Sequence, residues 1–337
     1  MSIEFQILGG PKQDNAMYVE VNSGQHIERL LFDCGDRCLS SFSFGGMQDI
    51  DAVFFSHFHM DHVAGFEAYF RANFSRTSKP NIVWGPPDTA RVMHCRFQAY
   101  TWNLADEMDA TWWVHEIHPT EIRRFRYELN EAFTHQYVEE SWPLVDGVIV
   151  DADTFTIQAV PMDHRTPSMT YTLREKPKQN IDTSRLKELG LRPGAWIQAV
   201  KQTDVPEGTT VDVNGEARSV KELQEALLVS TEGDSLAYLT DFMLGEQVEQ
   251  TLVPVIQGCQ HIVCESQYLH KDIELARANY HMTSKQVGSI AAMANVGELI
   301  LFHLSVRYSS EEWLQMLEEA QQEFANVRFP KHWEMAS

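Results

Sequence analysis

The sequence predicts a single α/β domain, spanning residues 1–337, that carries two insertions. The first third of the chain is rich in apolar, strand-like segments, whereas the last third alternates strand-like and helical segments. No internal repeat and no Gly/Ser-rich linker divides the chain, which favours one layered domain. A hydrophobic fraction of 43% over this length is enough for a sizeable core and excludes intrinsic disorder.

Short apolar segments bounded by glycine, proline and polar residues predict the strands. In chain order, these strands are expected at 3–8, 16–21, 29–33, 50–56, 81–84, 154–161, 235–240, 261–264 and 298–302. Helices are expected at 63–74, at 283–296 and from 309 to about 324, and Thr283 with Gln286 forms a capping box at the second of these.

Two segments are expected to be insertions. Residues 90–140 are predicted to be mostly helical, and this segment would cover a site or form a dimer contact. Residues 165–201 differ in composition from the rest, with eight lysines and arginines against three acidic residues. We expect this second insertion to be an arm.

Composition limits the class of protein. The chain has 27 Lys and Arg against 48 Asp and Glu, a net charge of −21, which argues against a general nucleic-acid binder. It contains no apolar run of 18 residues, so no transmembrane helix is predicted. The first five residues include Glu4 where a signal peptide would be basic. Five cysteines without a zinc-ribbon spacing are expected to be reduced, as in a cytoplasmic protein.

Ligand-type side chains follow the ends of the predicted strands, where α/β folds build their sites. Strand alternation places His57 and His59 on the same side, and the chain then turns into a helix whose first turn carries Asp61 and His62. Further ligand-type residues at strand ends are His164, Asp241, Glu265 and His303. Imidazole and carboxylate without cysteine predict a catalytic zinc site, and the same donors also suit manganese or iron.

The motif His57-x-His59-x-Asp61-His62 resembles the signature of the metallo-β-lactamase superfamily. Other motifs resemble its ribonuclease Z branch, the endonucleases that trim tRNA 3′ ends. The matching segments are 31–36, 85–87, 163–171, 281–283 and 302–308. The resemblance covers almost the whole chain, and it implies a four-layer αβ/βα sandwich with a dinuclear metal site at one edge of its sheets.

The resemblance also implies which side chains bind the two Zn²⁺ ions. One site would use His57, His59 and His164, and the other would use Asp61, His62 and His303. Asp241 would bridge both sites. An in-line attack on a phosphodiester by a metal-bridging hydroxide would follow from such a pair of ions.

Acid–base roles fall on three residues. His281 would act as general acid or hold the scissile phosphate, and Glu265 would orient it, because a carboxylate beside an imidazole raises the pKa of the imidazole. Asp61 would also orient the attacking water. Candidate substrate-binding residues are Ser305 and Arg307 in the last motif and Arg192 and Lys201 in the arm.

The expected substrate is RNA, in particular a tRNA precursor, gripped by a basic arm on an acidic body. The N-terminal turn, 9–15, departs from the family pattern, because it is shorter and has Asp14 where the family has arginine. Aspartate repels phosphate. Two alternatives therefore stay open: a hydrolase of a small phosphodiester, lactone, β-lactam or sulfate ester, and a non-catalytic metal-binding protein. A homodimer without membrane attachment is expected.

Overall fold

The computed structural model describes residues 2–202 and 204–333. The strands are β1 (Ser2–Leu8), β2 (Ala16–Asn22), β3 (Ile27–Phe32), β4 (Ala52–Phe54), β5 (Asn81–Gly85), β6 (Thr111–Ile117), β7 (Glu121–Glu128), β8 (Tyr137–Pro143), β9 (Val148–Asp151), β10 (Phe155–Asp163), β11 (Pro167–Glu175), β12 (Lys178–Ile181), β13 (Thr210–Val213), β14 (Glu216–Ser219), β15 (Leu228–Thr231), β16 (Ser235–Leu239), β17 (His261–Glu265), β18 (Glu298–Phe302) and β19 (Val327–Arg328).

The helices are α1 (Phe44–Gln48), α2 (Met60–Val63), α3 (Phe66–Asn73), α4 (Thr89–Phe97), α5 (Thr183–Glu188), α6 (Trp196–Val200), α7 (Val220–Leu227), α8 (Glu246–Ile256), α9 (Ile273–Asn279), α10 (Ser284–Met293) and α11 (Ser310–Glu323). The capping box expected at Thr283 is present, and Ser309 forms a second one with Glu312. Within the described residues, no helix is long and apolar enough to span a membrane.

The chain folds into two compact units, where the sequence predicted one domain. The main unit comprises the residues up to Arg174 and from Asp234 onward, and the inserted unit is Glu175–Gly233. The predicted arm, 165–201, had the wrong boundaries at both ends. It began too early because residues 167–174 belong to β11, which pairs with β16 in antiparallel register, Tyr171 opposite Tyr238.

Two mixed sheets make up the centre of the main unit. The first has the order β1-β2-β3-β4-β5-β6-β7-β8, and the second has the order β19-β18-β17-β16-β11-β10-β9. Apolar side chains from both sheets, such as Phe32, Phe54, Tyr171 and Tyr238, form one core, which also includes Trp313 from α11. The other face of the first sheet packs against α3 and α4 in a second core. This is the four-layer αβ/βα arrangement that the sequence predicted.

The prediction of a mostly helical segment at 90–140 was wrong. Only α4 is an α-helix there; β6, β7 and β8 extend the first sheet through two antiparallel pairings. Trp112 packs in the core on one face of β6, and Trp113, on the opposite face, lies under the Arg124 guanidinium, 4.6 Å from the ring centre. The segment is therefore part of the sheet, because aromatic and β-branched residues gain more from pairing on a pleated surface than from a helix.

The inserted unit has its own small core. Strands β12 and β15 pair in antiparallel register, β13 and β14 form a hairpin, and the three helices α5, α6 and α7 contribute buried Leu186, Trp196, Leu223 and Leu227. The two ends of the unit meet, because a Cβ atom placed on Gly233 would lie 2.4 Å from the Cβ of Glu175. Its sequence contains eight lysines and arginines and ten aspartates and glutamates, so the unit as a whole is not basic.

Candidate metal centre

The ends of four strands of the main unit bring the predicted ligands together. His57 and His59 follow β4, Asp61 and His62 lie in α2, His164 follows β10, Asp241 follows β16, and His303 follows β18. Asp241 and His303 have φ values of 50° and 51°, in the left-handed region. Such a conformation is uncommon for residues other than glycine and turns the chain sharply at the strand end. The turn directs both side chains to the same point.

The Asp241 carboxylate lies at the centre of the cluster. Its oxygens are 3.2 Å from Nε2 of His62 and of His303, and 3.7 Å from Nε2 of His57 and of His164. Asp241, with 2% of its surface exposed, is buried at this point. One carboxylate thus contacts imidazoles from both predicted ligand sets.

The donor atoms also cluster in the two groups that the resemblance implied. In each of the sets His57–His59–His164 and Asp61–His62–His303, the donor atoms lie within 4.8 Å of one another. Nε2 of His62 and Nε2 of His303 are 3.6 Å and 3.8 Å from the Asp61 carboxylate. His59 is exposed and Asp61 is partly exposed, whereas the other donors are buried. The site is therefore open to solvent on the side of the α2 segment.

The Nδ1 atoms of three ligands are held by partners outside the cluster. His62 Nδ1 donates to Asp33 at 2.8 Å, His164 Nδ1 donates to the carbonyl oxygen of Tyr280 at 2.8 Å, and His57 Nδ1 lies 3.0 Å from the hydroxyl of Ser56. These bonds fix each ring so that Nε2 faces Asp241. Metal-binding histidines are commonly oriented in this way.

Sequence reasoning missed the role of Asp33. This fully buried carboxylate accepts hydrogen bonds from the backbone N–H and the hydroxyl of Ser56, from His62 and from the hydroxyl of Tyr238, at 2.7–3.0 Å. Its φ of 56° is again left-handed. The sequence feature that could have pointed to Asp33 is its position directly after the apolar strand β3. Its partners, however, come from distant segments that only the fold brings together.

The donor set fits divalent cations. Two ligands about 2.1 Å from a shared tetrahedral ion lie about 3.4 Å apart, and the distances of 3.2–3.7 Å from Asp241 to the imidazoles span this value. The Nε2 atoms of His57 and His303 are buried without a hydrogen-bond partner among the described residues, which is rare for buried polar atoms. Imidazole and carboxylate together suit zinc, and they also suit manganese or iron.

The protonation states of His57 and Asp241 favour metal binding, whereas that of His62 opposes it. Burial, and then the neighbouring His62, lowers the pKa of His57 well below its usual value, so this ring is neutral. Burial raises the pKa of Asp241, but His303 and His62 outweigh it and hold that pKa well below its usual value. Burial lowers the pKa of His62, but Asp241 and Asp33 raise it well above its usual value. A metal ion and a proton therefore compete for Nε2 of His62.

His281 and Glu265 form a pair beside the cluster, as the sequence predicted. His281 Nδ1 donates to Glu265 at 2.9 Å, and the other Glu265 oxygen accepts from the backbone N–H of Phe242 at 3.0 Å. The rings of His281 and His164 are 4.7 Å apart. Burial lowers the pKa of His281, but the Glu265 carboxylate outweighs it and raises this pKa to about 9.

The other predicted site residues belong to two different units. Ser305 and Arg307 follow His303; Arg307 is exposed, and its guanidinium is 5.7 Å from the ring centre of Tyr268. Arg192 and Lys201 are exposed residues of the inserted unit. Thus the metal ligands and the acid–base pair converge, whereas the predicted substrate-binding residues are spread over two units.

Asp14 has a structural role in the N-terminal turn. One of its carboxylate oxygens accepts a hydrogen bond from the backbone N–H of Asp36 at 2.9 Å, and its carbonyl oxygen accepts from the Cys38 thiol at 3.3 Å. Burial raises its pKa, and the charge of Asp61 raises it further. Asp14 therefore adds negative charge near a metal ligand.

Comparison with known proteins identifies the family. Ribonuclease Z of Deinococcus radiodurans is 40% identical to this chain over 327 residues, which cover 97% of both proteins. The chain belongs to the ribonuclease Z family. Ribonuclease Z of Chlamydia trachomatis serovar L2 is 26% identical and covers 90% of the chain and 89% of its own length. A protein-family model described as anti-Pycsar protein Apyc1 matches residues 12–173.

Solved structures agree with the fold. The metallo-β-lactamase fold protein YhfI of Bacillus subtilis superposes with a TM-score of 0.57 at 16% identity, covering 97% of this chain and 95% of its own. The short form of human tRNase Z superposes with a TM-score of 0.53 at 15% identity, covering 98% and 96%. Like other members of the ribonuclease Z family, this protein is a metal-dependent hydrolase of the metallo-β-lactamase fold.

Proposed function

We propose that the protein is a dinuclear, zinc-dependent endoribonuclease that removes the 3′ trailer of precursor tRNA. The observation that carries this proposal is the Asp241 carboxylate, which lies 3.2–3.7 Å from imidazoles of both ligand sets. His57, His59 and His164 would hold one ion, and Asp61, His62 and His303 the other, with Asp241 shared. The RNA substrate is supported by the names of the ribonuclease Z relatives.

Two ions held in this way would supply an activated water molecule and would offset the charge of a phosphodiester in the transition state. The chain supplies the remaining steps. Asp61, which is partly exposed, orients the water. His281 in its protonated form gives a proton to the leaving 3′ oxygen of the RNA, and Glu265 keeps the ring in place and favours that form. General acids of this kind contribute roughly 10²–10⁴-fold to rate.

The proposed RNA-binding residues belong to both units. Arg307 and Ser305 lie next to the metal centre in sequence, and Arg192 and Lys201 lie in the inserted unit. We extend the proposal to a homodimer in the cytoplasm.

A substrate panel tests the proposed function. Purified protein loaded with zinc or manganese is assayed on precursor tRNA, a bis-aryl phosphate, a lactone and a β-lactam. Accurate cleavage at the tRNA 3′ end is expected, together with slower hydrolysis of the bis-aryl phosphate. Hydrolysis of the bis-aryl phosphate without cleavage of precursor tRNA would refute the RNA substrate and retain the phosphodiesterase chemistry.

The variant His281→Ala should keep its bound metal, and its kcat should fall about 10²-fold or more.

A further inference from the structure

An arginine next to the metal centre is held in place by an aromatic ring and a carbonyl group. The guanidinium carbon of Arg165 lies 4.9 Å from the centre of the Tyr280 ring, and Nη2 donates to the carbonyl oxygen of Ala278 at 2.7 Å. The backbone N–H of Arg165 donates to Asp163 at 2.9 Å. Arg165 is nevertheless exposed, so the rest of its guanidinium faces solvent.

The segments that carry this pair also carry parts of the centre. Arg165 directly follows the ligand His164, and Tyr280 directly precedes His281. The hydrogen bond from His164 Nδ1 to the carbonyl oxygen of Tyr280 joins the two segments. Arg165 and Tyr280 have φ values of 58° and 60°, both in the left-handed region. A non-glycine residue stays in this region only where the surrounding contacts hold it there. Both segments thus have a defined local geometry at the rim of the site.

The guanidinium of Arg165 forms no ion pair among the described residues. Arg277, which directly precedes the Ala278 that Arg165 contacts, is paired with Glu274 at 2.8 Å. Arg165, in contrast, has no carboxylate partner within ion-pair distance among the described residues; its contacts are a ring and a carbonyl oxygen. In a chain of net charge −21, an unpaired cation at this place attracts an anionic substrate.

We propose that Arg165, positioned by Tyr280, binds a phosphate of the RNA backbone next to the scissile one. The planar guanidinium presents its N–H groups as a fork that matches two phosphate oxygens, and stacking on the ring keeps the fork in one orientation. This inference rests on the proposed function, because it assumes a substrate with several phosphates. A small diester with a single phosphate would fill only the metal centre, so Arg165 would distinguish RNA from such diesters.

The test compares two substrates in the variant Arg165→Gln. For precursor tRNA, we expect the KM to rise about five- to tenfold while kcat stays within twofold, because one phosphate contact is lost. For a bis-aryl phosphate, both constants should match those of the unmodified protein. RNA binding without turnover, measured by fluorescence anisotropy in the presence of a chelator, should weaken. The slope of log K against log salt concentration should become shallower by about 0.7–0.9, the value of one phosphate contact.

Three further variants complete the test. Arg277→Gln removes a nearby exposed arginine that is already paired, and it should behave like the unmodified protein. Tyr280→Leu should reproduce part of the rise in KM, whereas Tyr280→Phe retains the ring and should have no effect. An unchanged KM for precursor tRNA in Arg165→Gln, or equal losses on both substrates, would overturn the inference. If the unmodified protein did not cleave precursor tRNA, the proposed function would be refuted, independently of any result for the Arg165 variant.

Discussion

The metal centre and the inserted unit are built in opposite ways. Every proposed ligand in the centre belongs to the main unit, and its imidazoles are fixed by hydrogen bonds such as those to Asp33, Ser56 and the carbonyl oxygen of Tyr280. The inserted unit has a separate core and places Arg192 and Lys201 in solvent. Under the proposed function, catalysis would depend on a few buried, hydrogen-bonded side chains, whereas binding of the RNA would depend on exposed charges of the inserted unit. The two properties should be separable by mutation.

The strongest test of the comparison is Asp241→Ala. Removing the shared carboxylate should lower kcat on a bis-aryl phosphate by about 10³-fold or more, because both ligand sets lose a common charge. Metal analysis should show fewer bound ions per chain, and circular dichroism should show an unchanged fold. The control is Asp153→Ala, an exposed aspartate in the turn after β9. Turnover retained in Asp241→Ala would contradict a shared carboxylate.

Excision of the inserted unit should separate the two functions. The two ends of the inserted unit, Glu175 and Gly233, lie side by side. Residues 176–232 can therefore be replaced by Asn-Gly, so that β11 and β16 are joined as a hairpin. We expect kcat/KM on the bis-aryl phosphate to change less than about twofold, and kcat/KM on precursor tRNA to fall roughly 10–100-fold through lost phosphate contacts. If cleavage of precursor tRNA were undiminished, the inserted unit would have no role in substrate binding.

A smaller effect is expected from Asp33→Asn. The amide keeps the shape of the carboxylate but lacks the charge that holds His62, so metal affinity should fall about tenfold or somewhat more. Metal titration with a competing chelator would measure this. Asp36→Asn alters an exposed aspartate on the following turn and serves as the control. Equal affinities for the two variants would show that Asp33 only stabilises the fold.

The smallest effect on chemistry is expected from Leu227→Ala. This side chain is fully buried in the core of the inserted unit, so its truncation should destabilise that unit by about 2–5 kcal/mol. Hydrogen exchange should become faster at residues 176–232, while hydrolysis of the bis-aryl phosphate stays unchanged. Leu189→Ala, at a position that is 43% exposed, is the control. A parallel loss of hydrolysis of the bis-aryl phosphate would mean that the two units are not independent.

The convergence of the candidate ligands could be predicted from the sequence, because these residues follow strands that are recognisable locally. His57, His164, Asp241 and His303 each come after a short apolar segment, and the ends of neighbouring strands meet in an α/β fold. Asp33 shares this position and was assigned no role, since a single acid after a strand says nothing about partners such as Ser56 and Tyr238, which come from other segments.

Long-range pairing explains the errors. The extent of the inserted unit is set by Lys178 pairing with Thr231, a contact that leaves no local pattern in the sequence. The sequence predicts a helical segment at 90–140, yet β7 alternates more buried and less buried residues, as a strand does, and it pairs with β6 and β8. The conformation of β7 depends on its pairing with β6, and β6 in turn depends on its pairing with β5.

The meeting of Glu175 and Gly233 also affects the order of folding. The pairing of β11 with β16 must close a loop of about 60 residues, whereas a folded inserted unit shortens the flexible part to a few residues. Loop-closure entropy makes the first route costlier by about 2 kcal/mol. The inserted unit should therefore form before the second sheet is completed, which pulsed hydrogen exchange during refolding would detect as earlier protection of β12 and β15 than of β16. On this view the inserted unit also assists the assembly of the fold.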